Sequence, residues 1–517
     1  MFVLNDIIRR AAALNARGPA IITDDYIVSW SELLNRAQCI AGALRDAGVQ
    51  RGDRIAILSL NDPVYFQFLF GAIWAGAVVV PLNTRFSDAE LVFCLNDLDG
   101  VWICSDANLR PTLARLSGQV EGVSGYFFVG EGEAPSMFTP FEDLLKGNPG
   151  SVGDDPVSED VAMIYYTGGT TGSAKGVLLS HANIKYAAQQ TISGLCSSRS
   201  FGRDSIYVHA APMFHMADGI MSFACAMVTC ANTFIPRFEV PQFVEHCIRH
   251  KISWMTLVPT MVKMICEFLV DNRLDIPGLR GILYGAAPMP KPVLKLAMST
   301  LPGVQLFQGY GSTEALIISM LGPEFHTGEA GHEALLCSAG TPFPGVLVGI
   351  FGENEQALPV GEIGQVYVRS NAVMKGYWNR PDLTRNALAD NWLRTGDLGY
   401  VNEMGYIFLV DRLKDMIITG GENVYPNEVE TVLHGCADVD ECAVVGLADE
   451  KWGETIHAFV RFRPGTVSDE RELIKHCRKH LAGYKIPRTW HLVTDPLPRT
   501  AMGKLDKVHL RGERRIP

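Results

Sequence analysis

The sequence lacks the cysteine spacing that marks zinc and redox motifs. Its 12 cysteines are scattered from Cys39 to Cys477, and no two of them stand as Cys-x-x-Cys. Unpaired thiols at this frequency suit a reducing compartment. The N-terminal stretch "MFVLNDIIRRAAALNARG" carries charges every few residues, so it lacks the apolar core of a signal peptide. We therefore expect a cytoplasmic protein.

Positive charge is also scarce. The 517 residues carry 45 Lys and Arg against 56 Asp and Glu, which gives a formal net charge of −11. That balance argues against a nucleic-acid-binding protein, and any anionic ligand has to be met by local cationic groups. The 47% hydrophobic content suffices for large buried cores. The length corresponds to about three domains of ordinary size.

One apolar run is long enough to span a bilayer. Pro63–Leu82 carries no charged residue. Gly76 and Pro81 interrupt it, and its β-branched "AVVV" segment is typical of a strand. The flanking chain also alternates between helical and strand patterns. We therefore predict a buried helix followed by a short core strand, and no transmembrane segment.

Alternating strand and helix patterns dominate the first part of the chain. "RIAILSL", "AVVVPL" and "VWICSD" read as strands, and the helices between them begin at capping signals such as Ser29 with Glu32. This order predicts an α/β fold with doubly wound, mostly parallel sheets. Residues 1–410 are expected to form this large domain, which contains several subdomains.

The C-terminal part follows a different order. Residues 411–517 read as helix, strand, strand, helix and strand, which predicts a compact α+β domain. The chain near "VDRLKD" is not a Pro/Gly-rich linker, so the two domains are expected to be closely coupled. No internal repeat or low-complexity segment is present.

A glycine- and hydroxyl-rich stretch follows the apolar strand pattern "VAMIYY". In "YTGGTTGSAKG", Tyr166–Gly176, the glycines allow backbone amides to face an anion, and Lys175 adds a positive charge. It is not a Walker A motif, because Gly176 stands where that motif needs a Ser or Thr for Mg²⁺. The predicted phosphate-binding residues are Thr167, Gly168, Gly169, Thr170, Thr171, Gly172 and Lys175.

This stretch resembles the phosphate loop of the adenylate-forming superfamily, with Gly168 where the family often has serine. Further motifs resemble the same family in the same order: "GYGSTE" (309–314), "RTGDLG" (394–399), "VDRLKDMIITGGENVYPNEVE" (410–430) and "LPRTAMGKLDK" (497–507). The resemblance spans nearly the whole chain and points to the acyl-CoA synthetase branch. It implies ATP, Mg²⁺ and coenzyme A as ligands and a mobile C-terminal domain.

The resemblance also implies roles for individual residues. Tyr310, which is flanked in the sequence by Gly309 and Gly311, would stack on adenine. Thr313 would bond the α-phosphate, and Glu314 would hold Mg²⁺. Asp397 would accept hydrogen bonds from the ribose hydroxyls, and Arg412 would reach the ribose or a phosphate. In the C-terminal domain, the implied roles are catalysis by Lys504, a hinge at Lys414, and passage of the CoA arm along Gly420, Gly421 and Glu422.

The acid is less constrained than the nucleotide. His215 fits the family's aromatic position beside the substrate carboxylate, and Met216 stands where amino-acid activators carry Asp. Asp218 is expected either to bind a polar group of the substrate or to cap a helix. The other predicted pocket residues are small: Gly219, Gly285, Ala286, Ala287 and Ala315.

We expect these small residues to line a roomy apolar tunnel for a medium- or long-chain fatty acid. An aryl or arylalkenoic acid is the alternative. A separate carrier protein in place of CoA also stays open as the thiol acceptor. The expected partners are small molecules, and the sequence neither requires nor excludes a homodimer.

Overall fold

The computed structural model describes residues 2–130, 133–151, 155–167, 174–196, 200–327, 329, 332–419, 422–450, 452–466, 469–500 and 504–512. The helices are α1 Leu4–Asn15, α2 Trp30–Asp46, α3 Pro63–Trp74, α4 Asp88–Asp97, α5 Arg110–Leu116, α6 Phe141–Leu144, α7 His181–Leu195, α8 Met216–Val228, α9 Val240–Arg249, α10 Pro259–Asn272, α11 Lys291–Thr300, α12 Pro381–Ala387, α13 Pro426–His434, α14 Glu470–His480 and α15 Lys507–Gly512.

The strands are β1 Pro19–Ile22, β2 Ile27–Ser29, β3 Arg54–Leu58, β4 Val78–Pro81, β5 Val101–Ser105, β6 Val123–Phe128, β7 Phe138–Pro140, β8 Val161–Thr167, β9 Lys175–Ser180, β10 Ile206–His209, β11 Ala231–Phe234, β12 Trp254–Leu257, β13 Gly281–Gly285, β14 Gln305–Ser312, β15 Leu316–Leu321, β16 Thr341–Pro342, β17 Leu347–Phe351, β18 Gly364–Arg369, β19 Gly376–Tyr377, β20 Leu388–Ala389, β21 Trp392–Val401, β22 Ile407–Arg412, β23 Ile417–Thr419, β24 Glu422–Val424, β25 Val439–Asp449, β26 Gly453–Phe462 and β27 Thr489–Val493.

Two mostly parallel sheets form the body of the N-terminal domain. The first has the strand order β19-β9-β8-β4-β3-β5-β6-β7, parallel from β8 to β7 and antiparallel at β9 and β19. The second has the order β16-β15-β14-β13-β12-β10-β11-β1-β2, with antiparallel pairing at β15, β16 and β2. The predicted α/β fold is confirmed.

The core lies where helices α1, α2, α3, α7 and α8 pack among the strands of these two sheets. Helix α3 is buried on all sides: Phe66, Phe68 and Phe70 are each at most 2% exposed. Burying one such side chain stabilises the fold by about 1.5–3 kcal/mol. The prediction for Pro63–Leu82 is therefore confirmed as a buried helix and strand. Within the described ranges, no helix has the length and apolarity needed to cross a membrane.

A third sheet was not anticipated from the sequence. It is antiparallel, with the order β17-β18-β21-β20, and β22 pairs with β21. The register of β21 and β22 places Asp397 opposite Arg412. Because β22 runs to Arg412, the predicted domain limit at residue 410 lies inside a paired strand.

The C-terminal domain is built on a fourth sheet, with the order β24-β23-β26-β25 and β27 parallel to β26. Helices α13 and α14 cover it, with Leu433, Val444, Leu473 and Cys477 in its core. The predicted succession of helix, two strands, helix and strand is confirmed by α13, β25, β26, α14 and β27.

Candidate active site

The predicted phosphate loop begins and ends on two paired strands. Antiparallel β8 and β9 put Thr167 opposite Lys175 and Tyr166 opposite Gly176. The Thr167 hydroxyl lies 3.4 Å from the Lys175 carbonyl oxygen, which can accept its hydrogen bond. The two ends of the loop are therefore fixed by the sheet. Of the predicted loop residues, Gly168, Gly169, Thr170, Thr171 and Gly172 lie outside the described residues.

Residues that the sequence analysis missed fasten both ends of this loop. Asp97 accepts a hydrogen bond from the Tyr166 hydroxyl at 2.8 Å and pairs with Arg380 at 2.7 Å. Trp378 donates its backbone N–H to the Gly176 carbonyl at 2.7 Å and its indole N–H to the Asp97 carbonyl at 2.8 Å. The only sequence signal for these contacts was the aromatic and basic cluster "GYWNR" (376–380).

The predicted adenine motif lies on a hairpin. Gly309, Tyr310 and Gly311 lie near the end of β14, and Thr313 and Glu314 occupy the turn into β15. Gly311 is required there, because a Cβ at this position would stand 1.8 Å from the Leu316 carbonyl oxygen. Thr313 and Glu314 are half-buried. The hairpin therefore presents both side chains at the end of the parallel strand β14.

Glu314 is tied to the segment that closes the phosphate loop. Its carbonyl accepts a hydrogen bond from the Met374 N–H at 2.8 Å, and its Oε1 accepts one from the Tyr377 hydroxyl at 3.1 Å. The Lys175 ammonium lies 5.6 Å from the centre of the Tyr377 ring. The predicted metal ligand and the predicted phosphate-binding lysine therefore share one neighbour.

No group of three or more His, Cys, Asp or Glu residues could hold a metal ion by itself within the part of the chain that the structure describes. This does not conflict with the predicted Mg²⁺ ligand. Mg²⁺ bound with a nucleotide is usually held by one or two carboxylates together with phosphate oxygens and water. A half-buried carboxylate at Glu314, on the turn beside the phosphate loop, fits that donor set.

Asp397 is 6% exposed, and its carboxylate has two partners. The Tyr310 hydroxyl donates to Oδ2 at 2.6 Å, and Arg412 Nε lies 2.6 Å from Oδ1. Burial raises the pKa of Asp397, while Arg412 and the bond from Tyr310 act against that rise. The predicted ribose-binding and adenine-binding residues are thus brought together as one hydrogen-bonded group, with Arg412 beside them.

Lys504 reaches this group from the C-terminal domain. Lys504 is exposed to solvent. Desolvation by nearby protein atoms nevertheless lowers the pKa of Lys504, and Arg412 acts in the same direction. Asp397 and Glu314 act against it, so all three groups lie within electrostatic range. The structure therefore assembles the predicted catalytic lysine with the predicted ATP-binding groups.

The motif around Lys504 is anchored to its own domain. The Lys504 carbonyl accepts a hydrogen bond from the Thr500 N–H at 2.8 Å. Glu441, on β25, accepts hydrogen bonds from the Leu497 N–H at 3.1 Å and from Arg499 at 2.5 Å. One ion pair, Lys263 with Asp440 at 2.9 Å, connects α10 of the large domain to β25.

Two further predictions concern the junction and the CoA path. Lys414 lies in the turn after β22. The N–H of the preceding residue, Leu413, donates to the Gly396 carbonyl at 2.9 Å. Burial lowers the pKa of Lys414, with Asp415 acting against it. Glu422 is exposed at the start of β24. Gly420 and Gly421 lie outside the described residues.

His215 precedes the first turn of α8 as its N-cap residue. Its Nε2 is buried and has no hydrogen-bond partner within the described part of the chain. Burial lowers the pKa of His215 to about 4, and Arg85 and Lys504 act in the same direction. The ring is therefore neutral near pH 7, lies within electrostatic range of Lys504, and can offer an unused polar atom to a ligand.

Asp218 is fully buried and does not cap a helix, so that alternative was wrong. Its carboxylate accepts a hydrogen bond from the Tyr207 hydroxyl at 2.7 Å and lies 2.6 Å from His209 Nδ1. The sequence could not signal this, because both partners lie on β10, and His209 is itself buried. A role for Asp218 toward the acid stays a prediction.

The small residues of the predicted acyl tunnel differ in their exposure to solvent. Gly219 and Ala315 are buried, Gly285 is half-buried, and Ala286 and Ala287 are exposed. The space that a side chain at Gly219 would need is filled, since a Cβ there would stand 2.5 Å from the Tyr165 hydroxyl oxygen. Tyr165 was not anticipated as a neighbour of this position.

Comparison with known proteins matches this arrangement to one family. Residues 8–378 match the family model described as AMP-binding enzyme, and residues 428–504 match the AMP-binding enzyme C-terminal domain. A feruloyl-CoA synthase from Amycolatopsis sp is 34% identical over 97% of both chains. The long-chain-fatty-acid–CoA ligase FadD13 of Mycobacterium tuberculosis is 31% identical over 98% of this chain and 97% of its own.

A solved structure agrees with these relatives. The crystal structure of ATP-bound MatB from Rhodopseudomonas palustris superimposes with a TM-score of 0.88 at 27% identity. The match covers 100% of this chain and 99% of that one. The similarity therefore includes both domains and the cleft between them.

Proposed function

Because this chain belongs to the AMP-binding enzyme family, within the adenylate-forming superfamily, and is an AMP-forming acid–CoA ligase, we propose that the cleft around Lys504 activates an apolar carboxylic acid. One observation carries the proposal. Lys504, from the C-terminal domain, stands within electrostatic range of Asp397, Glu314 and His215 of the large domain. A carboxylate and ATP are both anionic, so they meet only where cationic groups converge.

In the first step, a carboxylate oxygen of the acid attacks the α-phosphorus of ATP. The bond from that phosphorus to the bridging oxygen breaks, and pyrophosphate leaves. Lys504 offsets the charge shared by the carboxylate and the α-phosphate, and Lys175 binds the departing phosphates. Glu314 would hold Mg²⁺ together with the nucleotide phosphates, and the bound ion would supply further charge neutralisation. Removing one preorganised group of this kind costs about 3 kcal/mol, or roughly 100-fold in rate.

The nucleoside is held by the group around Asp397. Its carboxylate is buried and already fixed by Tyr310 and Arg412. A fixed acceptor of this kind suits the ribose hydroxyls, because the side chain loses no further conformational entropy when the nucleoside binds. Thr313, on the turn beside Glu314, is placed to bond the α-phosphate. These assignments follow the family motifs and the positions of the residues in one cleft.

In the second step, the sulfur of CoA attacks the acyl carbon of the acyl adenylate. The bond to the AMP oxygen breaks and AMP leaves. The thiol arm is proposed to pass the β23–β24 hairpin at Gly420, Gly421 and Glu422, after the C-terminal domain rotates about Lys414. Rotation requires that the ion pair between Lys263 and Asp440 breaks, and Asp440 then keeps its second partner, Arg461.

For the acid, we propose a compact apolar molecule that carries a ring, such as an aryl or arylalkenoic acid. The Tyr165 hydroxyl fills the space beside Gly219, and Ala315 is buried, which supports a short pocket behind His215. A ring-bearing acid is also named for the 34% identical feruloyl-CoA synthase. A fatty acid is the second candidate, and the 31% identical long-chain ligase supports it.

Exchange of labelled pyrophosphate into ATP tests the first step with each acid separately. The panel is benzoate, ferulate, octanoate and palmitate, with glycine as the negative control. We expect exchange to be fastest with ferulate or benzoate. Faster exchange with palmitate would favour the second candidate, and no exchange with any acid would contradict the proposed activation. Capture of the activated acid by CoA or by a carrier protein's thiol then identifies the acceptor.

A further inference from the structure

Tyr377 lies between two groups to which the proposed function gives separate tasks. Its hydroxyl donates a hydrogen bond to Glu314 Oε1 at 3.1 Å. The face of its ring lies 5.6 Å from the Lys175 ammonium, within the range of a cation–π contact. One side chain therefore touches both the proposed metal ligand and the proposed phosphate-binding lysine.

The backbone fixes where Tyr377 stands. Strand β19 pairs with β9, which places Tyr377 opposite Val177, two residues after Lys175. The Tyr377 N–H donates to the Thr384 hydroxyl at 2.9 Å, and the Thr384 N–H donates to the Arg380 carbonyl at 3.0 Å. The ring is thus attached to the strand that leaves the phosphate loop.

The hydroxyl acts as the donor toward Glu314, because a carboxylate oxygen offers only lone pairs to the phenol O–H. A bond from the phenol to Oε1 fixes the orientation of the carboxylate, which then does not need to be ordered when a cation arrives. The same reasoning applies to any hard cation that enters with the nucleotide.

The ring holds Lys175 in a different way. No carboxylate pairs with Lys175 among the residues described here. The Lys175 ammonium instead interacts with the face of the Tyr377 ring. At the same degree of burial, an aromatic face attracts an ammonium group more weakly than a carboxylate does. Phosphate oxygens can therefore take over the ammonium without breaking an ion pair.

We propose that Tyr377 is a positioning residue for the adenylation step, which orients Glu314 through its hydroxyl and Lys175 through its ring. This inference rests on the roles proposed above for Glu314 and Lys175. It predicts that the two effects of Tyr377 are separable, because one depends on an oxygen atom and the other on an aromatic ring.

Two substitutions separate them. Tyr377→Phe removes the hydroxyl and keeps the ring, and Tyr377→Leu removes both. The matched control is Tyr126→Phe on β6, which removes a phenol far from the cleft. Binding is measured without any acid, first with Mn²⁺ and ATP by the loss of the free Mn²⁺ resonance, then with ATP in excess chelator by calorimetry. Pyrophosphate exchange at graded Mg²⁺ concentrations gives the kinetic counterpart.

For Tyr377→Phe we expect the metal concentration at half saturation to rise about fivefold, in binding and in exchange. Affinity for metal-free ATP should equal that of the unaltered protein. For Tyr377→Leu we expect the same metal effect and about threefold weaker binding of metal-free ATP. In a Lys175→Met background the ATP effect should vanish, since the ring then has no ammonium to hold.

Unchanged Mn²⁺ binding in Tyr377→Phe would overturn the role of the hydroxyl. A Tyr377→Leu effect that persists in the Lys175→Met background would overturn the role of the ring. If Tyr377→Leu does not fold, Tyr377→Phe still tests the hydroxyl, and Tyr377→Trp, which keeps an aromatic face, tests the ring. Failure of exchange with every acid would contradict the proposed function instead, while Mn²⁺ and ATP binding would still be measurable.

Discussion

The carboxylate of Asp397 and the guanidinium of Arg412 meet at 2.6 Å across the strands β21 and β22. Arg412 is the last residue of β22, and Lys414 follows two positions later. The ion pair therefore joins the proposed ribose-binding residue to the start of the junction between the domains. A substitution of either residue should weaken the binding of the nucleotide.

Asp397→Asn tests this pair. An amide keeps the bond from Tyr310 but removes the charge that Arg412 faces, so we expect the KM for ATP in pyrophosphate exchange to rise about tenfold. Asp390→Asn is the control, because Asp390 is exposed and has a positive φ of 49°, which Asn tolerates. Equal KM values for the two variants would contradict the role given to Asp397.

Asp218→Asn should cost stability more than activity. Asn232 donates from Nδ2 to the Ala20 carbonyl at 2.9 Å, so its Oδ1 accepts from His209 Nε2 at 3.1 Å. The Tyr207 hydroxyl and His209 Nδ1 each lie against one oxygen of the Asp218 carboxylate, so both oxygens are engaged. An amide offers only one oxygen and leaves one of these buried contacts unsatisfied, at a cost of about 1–3 kcal/mol.

Urea denaturation measures the free energy of unfolding of Asp218→Asn against Asp25→Asn, an exposed carboxylate. A second substitution, His209→Gln, should recover part of the loss because it removes the ring nitrogen that faces the amide. A loss below about 1 kcal/mol for Asp218→Asn would contradict the need for two buried carboxylate oxygens at this position.

Buried histidines predict that stability falls as the pH falls. Burial lowers the pKa of His181 to about 4, and its Nδ1 accepts a hydrogen bond from the Leu4 N–H at 3.3 Å. The unfolded chain, with an ordinary histidine pKa near 6.5, binds more protons between these values. The free energy of unfolding therefore rises with pH across this window and is lost as the pH falls toward 4.

Denaturation between pH 4 and 6.5 compares His181→Gln with the unaltered chain. The substitution should reduce the slope by about 1 kcal/mol per pH unit, the contribution of one proton. His480→Gln, at an exposed site on α14, is the control and should leave the slope unchanged. The assignment fails if the slope of His181→Gln equals that of the unaltered chain.

Gly219→Ala should damage use of the acid and spare the nucleotide. The added Cβ would stand 2.5 Å from the Tyr165 hydroxyl oxygen and 3.1 Å from the Met213 carbonyl oxygen. We expect kcat/KM for the acid to fall about tenfold, because overpacking would displace the wall of the proposed acyl pocket. The KM for ATP should stay unchanged.

Tyr165→Phe in the same chain should restore part of the loss, since it removes the oxygen that the Cβ meets. Gly483→Ala controls for the change of glycine itself, because nothing lies within 4 Å of a Cβ at that position. Equal losses in the single and double variants would show that Tyr165 does not form this wall.

Local patterns predicted most of the fold. Ser29 with Glu32 and Ser87 with Glu90 form capping boxes in the structure, as this residue order favours. The antiparallel third sheet escaped prediction because its register depends on pairs such as Asp397 with Arg412, which no local period reveals. Strand existence is a local property, whereas strand pairing is not.

The same distinction applies to the site. Motif residues such as Asp397, Arg412 and Lys504 were predicted to meet, and the structure places them in one cleft. Tyr377 was missed, since its contact with Glu314 spans 63 residues and it stands in no phosphate-binding pattern. Asp218 could not be interpreted for a similar reason, because its partners are themselves buried residues of another strand.

Lys504 is proposed to act in the first step of the reaction and not in the second. The most direct measurement compares the half-reactions in Lys504→Ala, with Lys479→Ala on the exposed face of α14 as the control. Pyrophosphate exchange should fall at least about 100-fold, because a preorganised cation is removed. Conversion of a supplied acyl adenylate to its CoA ester should be retained. Unchanged exchange, or equal loss of both half-reactions, would contradict the account.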